Sequence, residues 1–317
     1  MKTEKTINQL ITEFVSEKDV REQTRKQYQT NLNQWFRWLN LQKIDVRNPR
    51  RADAIAFKDY LNKTKSTYTI ASYVTVLKLF YKWLEDQGIY ENIASTVKFP
   101  KRSDQHTKGY LKQDQVIDML AAMPLRTISD FRNYAIVNLM LRTGMRRCEV
   151  VRMNVEDLII SNDVYQLHIQ RKGRLSKDQT ITLDKAIVDP IREYLSLRAP
   201  FADSSPVFIN HSRFNINQRI NEDYISRLAK ESMRRIGIER KDMTCHSFRH
   251  TAAITAIKAK ALPYEVQQML GHRSGSTTEI YFKAAEAETM SNNPAISAIA
   301  LSYQKQTKTV QKQAVSL

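Results

Sequence analysis

The six residues CHSFRH, 245–250, set a cysteine, two histidines and an arginine on one short segment. On a helix, His246 and Arg249 are three apart and share a face, and His250, four after His246, roughly shares it too. Three chemistries fit these residue types. A zinc site would use Cys245, His246 and His250, but no CxxC or HExxH accompanies them, and an arginine in the middle repels a cation. A cysteine nucleophile needs an orienting acid or amide, and nothing nearby signals one. A phosphate clamp needs only a bidentate guanidinium and an imidazole aimed at one anion. Taken alone, HxxR is better explained as a helix with satisfied polar side chains.

The next segment shifts that balance. In LGHRSGSTTEIYF, 270–282, Gly271 is placed to cap the preceding helix, and Ser276 to Glu279 reads as a capping box that starts a new helix at Ser276. His272 then stands on the connecting turn, and Tyr281 in the second turn of the new helix. A lone tyrosine there usually packs. Beside two histidines and an arginine it is a candidate nucleophile. Upstream, RTGMRRCEV, 142–150, ends one helix at Gly144 and opens another with paired arginines. One can serve as a surface charge and the other lie against Glu149, although a structural ion pair explains them equally well. Lys172, in a KG turn, is either a solvated lysine or a mobile group that reaches into a site.

Whatever holds these residues is strongly basic. Lys and Arg outnumber Asp and Glu by 50 to 33, a formal net charge of +17, which points to a polyanionic partner. No apolar run is long enough to span a bilayer, and MKTEKTINQ opens no secretory signal. The expectation is a soluble, intracellular, cytoplasmic protein, with nucleic acid favoured over membrane. Two cysteines, Cys148 and Cys245, exclude a disulfide framework. With 7 glycines and neither GxGxxG nor GxxxxGK[ST], a nucleotide-cradling loop is not expected, nor a need for ATP.

The positioning elements are mainly helical. Tyr28, Leu32, Trp35, Phe36 and Leu39 share one helix face, with Arg25, Lys26 and Arg37 opposite. A second pattern after Ser66 runs through Ile70, Tyr73, Val74, Leu77, Phe80, Tyr81 and Leu84 and stops at Gly88. Weaker helices are expected over 5–17 and 51–62. Residues 98–109, KFPKRSDQHTKG, lose periodicity, carry four basic residues including Lys101 and Arg102, and read as a linker. Beyond it, helices are expected over 113–123, 130–143, 146–153, 185–198, 221–236, 246–259 and 263–270. VYQLHIQ, 164–170, alternates and pairs with QTITL as a hairpin, Lys172 and Gly173 at its turn. Asn293 and Pro294 open a last helix with an apolar stripe of Ile296, Ile299, Ala300 and Tyr303, followed by a polar tail.

In this order, TGMRRCEV, the hairpin KG, HSFRH and LGHRSGSTTEIYF resemble the motifs of the tyrosine site-specific recombinases, the family of phage integrases, Cre and the Xer proteins. TRKQYQTNLNQWFRWL and STYTIASYVTVLKLFYKWL resemble that family's helical core-binding domain. The resemblance covers almost the whole chain. It implies a mainly α fold with a small antiparallel β-sheet in two domains: a core-binding domain over 1–97, a basic linker over 98–110, a catalytic domain over 111–292, and a C-terminal helix and tail over 293–317. Together the domains would clamp DNA.

By the same resemblance Arg146 and Arg249 are the catalytic arginines, Lys172 the catalytic lysine, His246 and His272 the histidines, Tyr281 the nucleophile, and Glu149 the support of the first arginine. Arg25, Lys26, Lys101 and Arg102 are candidate DNA contacts. The implied reaction passes through a 3′-phosphotyrosine with neither metal nor cofactor, on double-stranded target sites. It implies a homotetramer joined through 293–303, allows an accessory directionality factor, and fits a bacterial, phage or mobile-element gene. The chain departs from the pattern in three places: Arg147 adjoins Arg146, Cys148 and Cys245 stand where small residues or proline are common, and Lys177 is a second hairpin lysine. Two rival readings remain: a type IB topoisomerase-like enzyme that nicks and reseals, and a DNA-binding relative without catalysis.

Overall fold

A computed structural model describes residues 5–100, 109–161, 164–272 and 274–289. The chain divides into two units, 1–105 and 106–317. The fold is mainly α with one small antiparallel sheet.

The first unit is built from α1 (Ile7–Glu17), α2 (Glu22–Leu41), α3 (Arg51–Asn62) and α4 (Thr67–Asp86). Local chemistry sets the starts. Thr6 caps α1 in a reciprocal pair with Gln9, and the Ser66 hydroxyl accepts from the Thr69 backbone N–H at 3.3 Å. Every apolar residue expected on the α4 stripe is buried. The core is aromatic: Trp35 meets Phe57 edge-on at 5.1 Å, Phe14 meets Phe80 at 5.3 Å, and the Trp35 indole N–H donates to the Tyr81 hydroxyl at 3.0 Å.

The second unit contains α5 (Gln113–Ala121), α6 (Ile128–Thr143), α7 (Arg147–Val151), β1 (Leu158–Ser161), β2 (Val164–Ile169), β3 (Gln179–Leu183), α8 (Lys185–Arg198), α9 (Glu222–Arg234), α10 (Cys245–Lys258), α11 (Pro263–Leu270) and α12 (Gly275–Thr289). The sheet order is β1-β2-β3, both pairs antiparallel, with Leu167 opposite Leu158 on one side and Ile181 on the other. β2 and β3 form the expected hairpin. Strand β1 is an addition: Ile159 and Ile160 are 41% and 43% exposed, so it lacks the alternation that makes a half-buried strand legible. α7 is shorter than the expected 146–153, because Arg146 is its N-cap and Arg152 its C-cap. α10 packs against α6, α11 and α12. Its first turns, Cys245 and Ser247 to Ile254, are buried on all sides. The C-terminal helix expected over 293–303 lies outside the described residues.

Candidate active site

Two glycines bring the site's segments together. Gly144 ends α6 at φ 64°, and a Cβ there would sit 2.7 Å from a Leu270 methyl, so the turn needs glycine for both its backbone and its close approach. Gly271 ends α11 at φ 61°, and a Cβ would stand 2.6 Å from the Arg171 Nε. The first turn delivers Arg146, and the second delivers His272 and the start of α12.

Around these turns two guanidiniums share one carboxylate, and a third lies close by. Glu149, 1% exposed, accepts from the Arg146 side chain at 2.9 Å, from the Arg146 backbone N–H at 2.9 Å and from Arg171 at 3.2 Å. Burial pushes its carboxyl up, but Arg171, the Arg146 backbone N–H and the Arg146 charge outweigh it and hold the group below the usual carboxylate range. Arg249, 1% exposed, lies on α10 and donates to the Gly144 carbonyl at 2.7 Å and the Leu270 carbonyl at 2.6 Å. Arg146 reaches the same Leu270 carbonyl at 3.4 Å, so two arginines far apart in sequence meet at one oxygen. Burial first, then the neighbouring Arg146 charge, lowers Arg249 to about 10, which still leaves it cationic near neutral pH. Three cations against one carboxylate leave an excess of positive charge, which is the electrostatics of an anion site.

Tyr281 belongs to this group. It is buried on α12 beside Ala253, Val266 and Leu270. Burial raises its hydroxyl pKa, while Arg249, by charge and hydrogen bonding, and then Arg146 pull the other way. The His272 ring stacks parallel to Tyr281, centroids 6.0 Å apart and planes at 5°, and the His250 ring lies 5.0 Å away. His272 Nδ1 is 2.9 Å from the hydroxyl of the buried Thr278. Burial, followed by the Arg249 and Arg146 charges, pulls His272 down to about 4, so its imidazole is neutral near neutral pH. His246, exposed at the start of α10, stands edge-on to His250 at 4.9 Å.

The paired arginines part company. Arg147 hydrogen-bonds Ser226 and pairs with Glu222 at 3.7 Å on α9, away from Glu149. The two lysines part as well. Lys177 holds the buried Asp157 at 2.7 Å, whereas Lys172 has an exposed side chain and donates its backbone N–H to Glu149 at 3.3 Å. In the first unit, Arg25 donates to the Lys18 carbonyl at 3.0 Å, and Lys26 faces solvent 3.8 Å from Glu22. Lys101 and Arg102 lie outside the described residues. Among the described residues, no cluster of three or more His, Cys, Asp or Glu side chains is set to hold a metal.

The sequence reading missed Arg171, His250 as a neighbour of Tyr281, Thr278 and Gln179. One signal for Arg171 was present. Tyr165, Leu167 and Ile169 are the buried residues of β2, and Arg171 is the next position in the same period of two.

Comparisons with known proteins identify the family of the chain. Residues 109–288, more than half the chain, match the phage integrase family, and residues 7–88 match the phage integrase N-terminal SAM-like domain. The chain belongs to the phage integrase family and is a tyrosine recombinase, an enzyme of DNA strand exchange. It is similar to the tyrosine recombinase XerD of Listeria innocua, 28% identical over 288 residues that cover 87% of this chain and 94% of the relative. It is likewise similar to XerD of Lacticaseibacillus casei, 29% identical over 282 residues covering 86% and 92%. Two solved structures share the fold. One is the XerH site-specific recombinase bound to a palindromic difH substrate in a post-cleavage complex (TM-score 0.73, 17% identity, 90% of this chain and 84% of that one). The other is the Tn1549 transposon integrase with circular intermediate DNA (TM-score 0.68, 19% identity, 90% and 99%).

Proposed function

We propose that the chain cuts and rejoins double-stranded DNA at specific sites through a 3′-phosphotyrosine made by Tyr281. The observation that carries this reading is the meeting of Arg146, Arg249 and Tyr281 around the Leu270 carbonyl and the α12 start. A phosphodiester resists attack because its oxygens already carry charge. Arg146 and Arg249 would hold the non-bridging oxygens and stabilise the charge that builds on them.

In cleavage, the Tyr281 oxygen bonds to phosphorus and the bond from phosphorus to the 5′-oxygen breaks. The phenol proton passes to a histidine, and Lys172 protonates the departing 5′-oxygen. His250 joins His246 as a candidate acceptor, since its ring lies 5.0 Å from that of Tyr281. His272, neutral and held by Thr278, is suited to hydrogen-bond a phosphate oxygen. Lys172 is favoured over Lys177 as the proton donor because Lys177 is committed to Asp157. The ester keeps the energy of the broken bond, so a 5′-hydroxyl from another strand can reverse the step without ATP.

Tetramer formation through 293–303, a clamp of the two units around DNA, and action in the cytoplasm belong to the same proposal. Structural relatives captured on DNA support the DNA partner, as does the net charge of +17. Arg25, Lys26, Lys101 and Arg102 are proposed backbone contacts. Affinity should then fall with salt at a slope of about −0.9 per neutralised phosphate. The test is a DNA carrying two candidate target sites. Recombination yields exchanged products, whereas relaxed circles without exchange would favour the topoisomerase-like alternative.

A further inference from the structure

Arg171 ties together three of the segments that build the site: the β2–β3 hairpin, α7 and the end of α11. Its Nε donates to Gln179 Oε1 at 2.6 Å across the hairpin. One terminal nitrogen donates to Glu149 Oε2 at 3.2 Å, and the other to the Met269 carbonyl at 2.9 Å and the Gln268 carbonyl at 3.4 Å. Gln179 adds a bond to the same Gln268 carbonyl at 3.1 Å. The very next residue, Lys172, gives its backbone N–H to the other Glu149 oxygen at 3.3 Å. Arg171 is 5% exposed, whereas Lys172 to Ser176 are exposed. The loop therefore has a buried root and a free reach. Gly271 makes room for that root, since a Cβ there would stand 2.6 Å from the Arg171 Nε.

We propose that Arg171 is a positioning residue for strand cleavage. It fixes the root of the β2–β3 loop on the carboxylate that aims Arg146, and so delivers the Lys172 ammonium to the departing 5′-oxygen. The inference rests on the reading of Lys172 as proton donor. A planar fork is needed because the acceptors, an amide oxygen, a carboxylate and two helix-end carbonyls, lie on separate segments. A lysine keeps the charge but cannot span them.

The test compares single-turnover cleavage of two otherwise identical DNAs, one with the natural 5′-oxygen at the scissile phosphate and one with sulfur in its place. With sulfur, the bond from phosphorus to sulfur breaks and a 5′-thiolate departs without needing a proton. Lys172→Ala should slow the oxygen substrate by about 100- to 1,000-fold and recover most of that on sulfur. Arg171→Ala should slow the oxygen substrate by about 10- to 100-fold and recover in the same way, with Arg171→Lys between it and the native protein. The ratio of the two rates is internal to each preparation, so a partly unfolded sample does not alter it. Should Arg171→Ala not fold, the sulfur-to-oxygen ratio of Arg171→Lys decides. If Lys172→Ala recovers while the Arg171 variants are equally slow on both substrates, or are as fast as the native protein on oxygen, the inference is overturned. Failure of Lys172→Ala to recover would instead overturn the proton-donor assignment itself, and with it the role given to Arg171.

Discussion

Both units have an apolar core, but they differ in what else they bury. Among the described residues of the first, the buried side chains are apolar or aromatic apart from Asn31. Trp35, Phe57, Phe80 and Tyr81 interlock there in edge-to-face contacts. The second unit buries Arg132, Glu149, Asp157, Arg171, Arg249 and His250 as well. Burying charge is costly unless it is paired, and a half-satisfied network costs more than an apolar core. The contrast teaches that the first unit uses its interior for stability alone. The second uses part of its interior to hold guanidiniums, to which the proposed function gives an anion.

Substitutions can break that contrast. The largest stability effects should come from each interior's central member. Trp35→Ala should destabilise the protein by about 3–5 kcal/mol in denaturant titration. It should leave single-turnover cleavage on saturating DNA within about twofold, because no residue of the described site comes from that unit.

Glu149→Gln should also cost about 3–5 kcal/mol, because it leaves buried guanidiniums without their counter-charge. Here the pH dependence is informative. The Glu149 carboxyl is held low in the fold, so it stays ionised in the native state to lower pH than in the unfolded chain. Its contribution is complete above the ordinary carboxylate range and is lost as pH falls through the depressed native value. The gap in Tm between the native protein and Glu149→Gln should therefore narrow on acidification. A gap that is constant or widens would place the stabilisation elsewhere.

The adjacent arginines give the next sizes. Arg146→Ala should lower the cleavage rate by about 100- to 1,000-fold, some 2.7–4 kcal/mol of barrier, with little loss of DNA binding. Arg147→Ala removes a solvent-screened pair with Glu222 and should change stability by about 0–1 kcal/mol. Comparable rate losses for the two would mean that the division of labour between them is wrong.

Much of this was legible in the sequence, unevenly. The stripes in α2 and α4 gave the first unit its helices, since long amphipathic patterns bury one face whatever the tertiary details. The bounds expected for α8 and α11 match those observed; Gly271 was legible as the α11 cap, and the structure adds Asp184 as the cap of α8. The choice of Arg146 over Arg147 came from counting along a family motif, and the Glu149 contacts now supply a physical reason for preferring it. Strand β1 escaped because both of its isoleucines are half exposed. Arg171 escaped because two of its partners are the remote carbonyls of Gln268 and Met269 at the end of α11, and backbone oxygens leave no mark in a sequence. His250 was visible but carried no role until α12 laid Tyr281 beside it.

Linkage of the Tyr281 phenolic oxygen to a DNA strand end is directly measurable. A nicked substrate that loses its short 5′-hydroxyl fragment after cleavage traps the covalent product, and protease digestion followed by mass spectrometry locates the attached nucleotide. The adduct should lie on the peptide containing Tyr281, and Tyr281→Phe should bind the same DNA without forming it. An adduct on any other residue, or none from the native protein on DNA that it demonstrably recombines, would contradict that linkage.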